Sequence, residues 1–173
     1  MLARQFSISS LVFVIIFLIQ ESVVNQLRLP GGGFSLVLLI ALTWAALSTP
    51  TVGALTGFIS GFLMDLSQSS SGAMGHWTLL MILACYAVAF LGFGNDNVRG
   101  NPITNVFLVS AASVLTLVAY VITGFLLGVS VGSFSRVLIT IFSNGVWALL
   151  ITPLILPVVT RLHRSLFGKQ AHI

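Results

Sequence analysis

Charge is what this chain has least of. Three acidic and seven basic residues stand among 173, so 6% of the chain is charged where a soluble domain carries about a quarter. Hydrophobic residues make up 57% and the mean hydropathy is +1.12. Too few polar groups are present to clothe a water-facing surface, and the sequence reads as an integral membrane protein. The short alternating segments of a β-barrel are missing as well, whereas long apolar runs are present; a helical span needs about 20 such residues. Cysteine is nearly absent: Cys85 is alone, which excludes an intramolecular disulfide and reads as a packed thiol within an apolar run. The basic residues Arg4, Arg28, Arg99, Arg136, Arg161, Arg164 and Lys169 fall near predicted helix ends or in tails. That scatter speaks to membrane orientation and against a nucleic-acid surface.

The hydropathy pattern predicts a single domain over residues 1–173, an all-α bundle of six transmembrane helices at about 7–27, 34–48, 52–66, 73–93, 103–127 and 134–162. The first is read as a retained helix, since the polar run from Gln20 to Gln26 follows it and no small-x-small cleavage site does. The second and third are short and separated by Thr49-Pro50-Thr51, which suggests a tight hairpin or a partly re-entrant pair. Breaks are expected at Pro30–Gly33, Ser67–Gly72, Gly94–Pro102 and Gly128–Ser133. With six spans both termini share one side, and Arg4, Arg99, Arg161, Arg164 and Lys169 there, against Arg28 and Arg136 opposite, put the termini in the cytoplasm.

Convergent reactive groups are hard to assemble from three acids and the histidines His76, His163 and His172. No HExxH, CxxC, phosphate-binding glycine loop or GxSxG occurs, so no catalytic, cofactor or metal site is expected. The strongest local pattern is Gly53, Gly57, Gly61 and Asp65, spaced by four and therefore on one helical stripe. The glycines serve either close packing of the third helix within its own bundle or docking of another subunit; the first is the simpler reading. Asp65 is either solvated at a helix end or an anchor for the following loop or a neighbouring helix. Glu21, with Gln20, Asn25 and Gln26 nearby, is read as snorkelling to the interface. Asn144 lies deeper in the last helix, where its amide is expected to find a partner across helices. Pro153 and Pro157 are expected to bend that helix. Trp44, Trp77 and Trp147 read as packing or interfacial aromatics.

Gly57-Phe58-x-x-Gly61-x-x-x-Asp65-Leu66, a small-residue loop, Gly75 and then a helix containing Ala84-x-Tyr86 together resemble the signature stretch of the rod shape-determining protein MreD family. Pro30 leading through Phe34 into Leu36–Leu39, Asn144-Gly145-Val146 in the last helix and a short basic tail agree with it, so the resemblance spans nearly the whole chain. The loop Ser67–Gly72 is more serine-rich than is usual there, and many members carry a more basic tail.

The resemblance implies a non-enzymatic scaffold in the bacterial inner membrane. It also implies binding to a bitopic MreC-like protein and, through it, to MreB filaments and to a peptidoglycan synthase made of a SEDS glycosyltransferase and a class B penicillin-binding protein. The implied fold is similar to the substrate-binding subunits of energy-coupling-factor transporters. A solute-binding subunit of such a vitamin or metal transporter is therefore the alternative. Its pocket would need Glu21, Asp65, His76 and Trp77 to converge, and the first helix lacks the alanine ladder expected for docking an energising module.

Overall fold

In the computed structural model, residues 2–22, 26, 34–67, 73–93, 101–129 and 133–167 are described. Among them the chain forms six α-helices and no strand: α1 Leu2–Ser22, α2 Leu36–Leu47, α3 Pro50–Asp65, α4 His76–Gly92, α5 Pro102–Leu126 and α6 Phe134–Phe167. Local chemistry sets several of the starts. The Ser35 side chain accepts the Leu38 N–H at 3.3 Å to cap α2, and Asn101 accepts the Ile103 N–H at 3.0 Å to cap α5. Proline opens α3 and α5, where its missing N–H is no loss.

Two helices are long and apolar enough to cross a membrane, Pro102–Leu126 and Ser135–Ser165. Among the described residues none of the other four is long and apolar enough, and α2 is the clearest departure from the expected spans. Its 12 residues reach about 18 Å, short of the ~30 Å of hydrocarbon. It is the centre of the fold instead: nine residues, from Val37 to Ala46, are buried, and it touches α1, α3, α4, α5 and α6. A helix that is apolar all round suits a position enclosed on all sides. The core around it includes Phe13, Leu38, Leu42, Trp44, Met81, Cys85, Val109 and Ala148. Trp44 lies edge-on to Phe13 with ring centroids 6.1 Å apart.

Several buried hydroxyls are satisfied locally, whereas those of Ser110 and Thr152 have no partner. Thr43, Ser48, Thr56, Ser60 and Thr116 each donate to the carbonyl four residues earlier, at 2.7 to 2.8 Å.

Tertiary bonds intervene at several helix ends. α1 is described as far as Ser22, the rest of the span expected to Leu27 lying almost wholly outside the described residues, and its last described turn is tied down. Gln20 Oε1 accepts the Leu36 N–H at 2.6 Å, and Glu21 accepts the Ser67 hydroxyl at 2.5 Å. Glu21 is thus a tie between α1 and the end of α3 and not simply a snorkelling group. α6 runs on to Phe167 through Pro153 and Pro157, and Thr160 returns a hydrogen bond of 2.7 Å to the Leu156 carbonyl. Of the breaks expected at 30–33, 67–72, 94–102 and 128–133, residues 30–33, 68–72, 94–100 and 130–132 lie outside the described residues, as do Arg28, Asn25, Asp96, Arg99, Lys169 and His172.

These ties also sort the bundle by end. At one end stand the close of α1, the start of α2, the close of α3, the start of α4 and the close of α5, bearing Glu21, Asp65 and His76. At the other are Ser48 after α2, His163 near the close of α6 and the start of α5.

Candidate functional site

The glycine stripe is filled by α4. The two helices run antiparallel, with Gly53 opposite Cys85 and Ala89, Gly57 opposite Met81 and Ile82, and Gly61 opposite Trp77 and Thr78. A methyl group on Gly53 would lie 2.6 Å from Ala89 Cβ, and one on Gly61 2.6 Å from Thr78 Cα. At Gly57 it would fall on the Met81 carbonyl. No side chain fits any of these positions, so backbone meets backbone along three turns.

Asp65 completes that seam. The residue before α4 is Gly75, at φ 91°, which has no side chain to cap the helix. Asp65 supplies the cap from α3: its carboxylate accepts the Trp77 N–H at 3.0 Å, the Thr78 N–H at 2.9 Å and the Thr78 hydroxyl at 2.5 Å. A negative charge at the positive end of the α4 dipole adds to those bonds. Thr78 had no signal in the sequence, because a capping acceptor normally precedes its helix by one residue and this one precedes it by eleven.

His76 is buried at the same end. Its ring stacks on Tyr120 with centroids 4.4 Å apart, and Trp77 stacks on Tyr120 at 4.2 Å. His76 Nε2 lies 2.6 Å from Thr123 Oγ1, while Nδ1 is buried without a partner. Removing the first of these, by Thr123→Val, is expected to lower stability by about 1 to 2 kcal/mol. Heat denaturation of the detergent-solubilised chain measures it, and an unchanged midpoint would count against the bond.

Glu21, Asp65 and His76 are therefore spent on three separate contacts, with Ser67, with the start of α4 and with Thr123. Among the described residues no three of His, Cys, Asp and Glu come together in a way that could hold a metal ion.

Asn144 departs from expectation. It is buried on α6, yet its Oδ1 has no hydrogen-bond partner. The neighbouring contact is apolar: Gly145 packs against Val114 of α5, where a Cβ would sit 3.0 Å from Val114 Cγ2. The helix face turned towards α5 is set by the small residue and leaves the amide oxygen unanswered.

An open surface lies elsewhere, between α4 and α5. A groove of about 330 Å³ is lined by Ala84, Ala87, Ala111, Ala112 and Ala119 together with leucines and Val88, and Thr116 is the polar residue in it. Alanines on both helices leave the space between them open. Ala84-x-x-Ala87 and Ala111-Ala112 carried this signal in the sequence, and the more regular glycine stripe overshadowed them. Comparison with protein-family models, with curated proteins and with solved structures finds no match to this chain.

Proposed function

We propose that this chain is a six-helix membrane scaffold of the MreD type, in the bacterial inner membrane with both termini cytoplasmic, that acts by docking the transmembrane helix of a bitopic MreC-like partner. Through that partner it would help position MreB filaments and the peptidoglycan synthase pair of SEDS glycosyltransferase and class B penicillin-binding protein. The resemblance in residues 57–86 and 144–146 supplies the family. Support for a membrane setting comes from the outer surface: Leu18, Phe62, Leu83, Phe107, Leu115, Phe125, Phe142 and Leu154 are large, apolar and exposed, on five different helices. Water would oppose such a surface and hydrocarbon would not.

The observation that carries a docking role is the alanine-rich groove between α4 and α5. In lipid, apolar helices associate through close packing and not through the hydrophobic effect, so a groove lined by small residues is where a partner helix gains most. The glycine face has no such vacancy, because α4 occupies it.

Ala87→Phe with Ala111→Phe tests this reading. Both residues line the groove and are exposed, so phenylalanine fills the space from outside and spares the core. Affinity purification from native membranes in mild detergent is expected to recover a bitopic coiled-coil protein and cell-wall synthases with the wild-type chain. The double variant should recover at least about tenfold less, the loss of roughly 1.4 kcal/mol of packing. Equal recovery would remove the groove from the interface. Co-purification of paired ATPases in place of that set would replace the scaffold with a transporter subunit.

A further inference from the structure

The end of the bundle opposite Asp65 holds a second concave region, where the start of α5 meets the last turns of α6. Two adjoining spaces of about 420 and 280 Å³ share Pro102, Leu156, Thr160 and Arg164 as walls. The larger continues along Ile103, Pro153 and Pro157 and also carries Arg161, whereas the smaller reaches Asn105 and His163. We propose that this is a binding site for one anionic phospholipid, with its phosphate held by Arg161, Arg164 and the start of α5 and an acyl chain along the proline-lined arm.

Four observations bear on it. Arg161 and Arg164 are exposed, and the carboxylates of the described residues, Glu21 and Asp65, are engaged at the far end of the bundle. Guanidinium groups three residues apart lie on one helix face and bind phosphate oxygens in a planar fork. The α5 N-terminus points its positive dipole end at the same space; this is a 25-residue helix beginning at Pro102. Asn105 is 2% exposed and lines the smaller space, and its Oδ1, itself buried, has no partner in the protein. A glycerol hydroxyl or an amide-flipped contact to phosphate would supply one. The arm of the larger space along Ile103, Val106, Pro153 and Pro157 is apolar, which suits a chain and not a soluble anion, whereas Thr160 and His163 add polar groups to the smaller space.

The inference rests on the membrane setting proposed above, and the first readout separates the two. Membranes carrying the full-length chain are washed with carbonate; a chain that washes off overturns both. The retained chain is then purified, stripped of lipid and titrated with phosphatidylglycerol or phosphatidylcholine, with bound lipid counted by native mass spectrometry. One phosphatidylglycerol is expected to bind in preference to phosphatidylcholine. Arg161→Gln with Arg164→Gln is expected to weaken it about 30-fold, since each basic residue near an anionic lipid is worth about a factor of five. Arg161→Lys with Arg164→Lys keeps the charge and loses the fork, so it should bind between the wild type and the glutamine variant, and it checks that the fold survives. Ile103→Trp, which fills the apolar arm from an exposed position, should weaken phosphatidylglycerol several-fold without restoring any preference for phosphatidylcholine. Unchanged binding in the glutamine variant, or equal uptake of the two lipids, overturns the proposal. Displacement of the lipid by millimolar inorganic phosphate also overturns it, in favour of a free-anion site.

Discussion

Gly57→Leu is expected to leave no folded protein to purify. The obstacle at that position is the Met81 carbonyl together with the Ile82 Cα, which belong to the backbone of α4. Side chains in an overpacked core can turn aside at a cost of about 1–3 kcal/mol, but a helix backbone cannot turn aside without moving the helix. Because α3 and α4 meet at Gly53, Gly57 and Gly61, a displacement at the middle one opens the whole seam. Even Gly57→Ala should cost more than about 2 kcal/mol. Gly124→Ala is the matched control: it is also a buried helical glycine, but the nearest atom to its added methyl group is His76 Cε1 at 3.7 Å, an ordinary contact. Fluorescence-detected gel filtration across a temperature series compares the three. A Gly57→Leu chain that elutes and melts like the wild type would mean that α3 and α4 are not packed in this way.

The second large effect is expected from Asp65→Ala, a loss of about 2–3 kcal/mol. A lost helix cap costs up to about 2 kcal/mol, and hydrogen bonds to a charged group are worth about 1.5–3 kcal/mol each way they are counted. Three such bonds end on this carboxylate, and with Gly75 as the residue before α4 nothing local replaces them. Asp65→Asn keeps one carbonyl oxygen and should recover roughly half of the loss. Hydrogen exchange locates the effect: the amides of Trp77 and Thr78 should lose protection first, ahead of those in the middle of α4. Unchanged protection there, with or without a change in melting, would sever Asp65 from the helix start.

The number and order of helices were legible because apolar runs and turn clusters are local properties of a chain. The ends were less so, and for identifiable reasons. In the last described turn of α1, Gln20 and Glu21 reach Leu36 and Ser67, partners 16 and 46 residues away that no window on α1 contains. α6 continues past 162 because a helix already formed extends cheaply through Arg164 to Phe167, residues whose charge made them look like tail. Depth was the harder problem. The runs at α2 and α5 look alike in hydropathy, yet α2 is central and α5 turns Ile103, Phe107, Leu115 and Phe125 outward. The buried side of α5 is its polar one, with Asn105, Ser110, Ser113 and Thr116, an inversion of the pattern that a soluble helix teaches.

The candidate sites followed the same division. The glycine-aspartate spacing was visible, but the identity of what meets it was not, because an antiparallel neighbour supplies Met81 and Thr78 from across a loop. In the sequence Arg161 and Arg164 speak to orientation alone; Pro102 and Asn105, some 60 residues earlier, turn the same pair into the wall of a cleft.

The enclosure of α2 has a bearing on how such a chain is made. Helices leave a ribosome in order, so α2 exists before α4, α5 and α6, the neighbours that wrap it. At 12 residues it is too short to rest alone across a bilayer, and its one hydroxyl, that of Thr43, is already bonded within the helix, so in a membrane it would wait as part of a hairpin with α1 or α3. The centre of the finished protein is thus among its earliest parts to be synthesised and among the last to be surrounded, and the native arrangement is a property of the completed chain and of no nascent stretch of it.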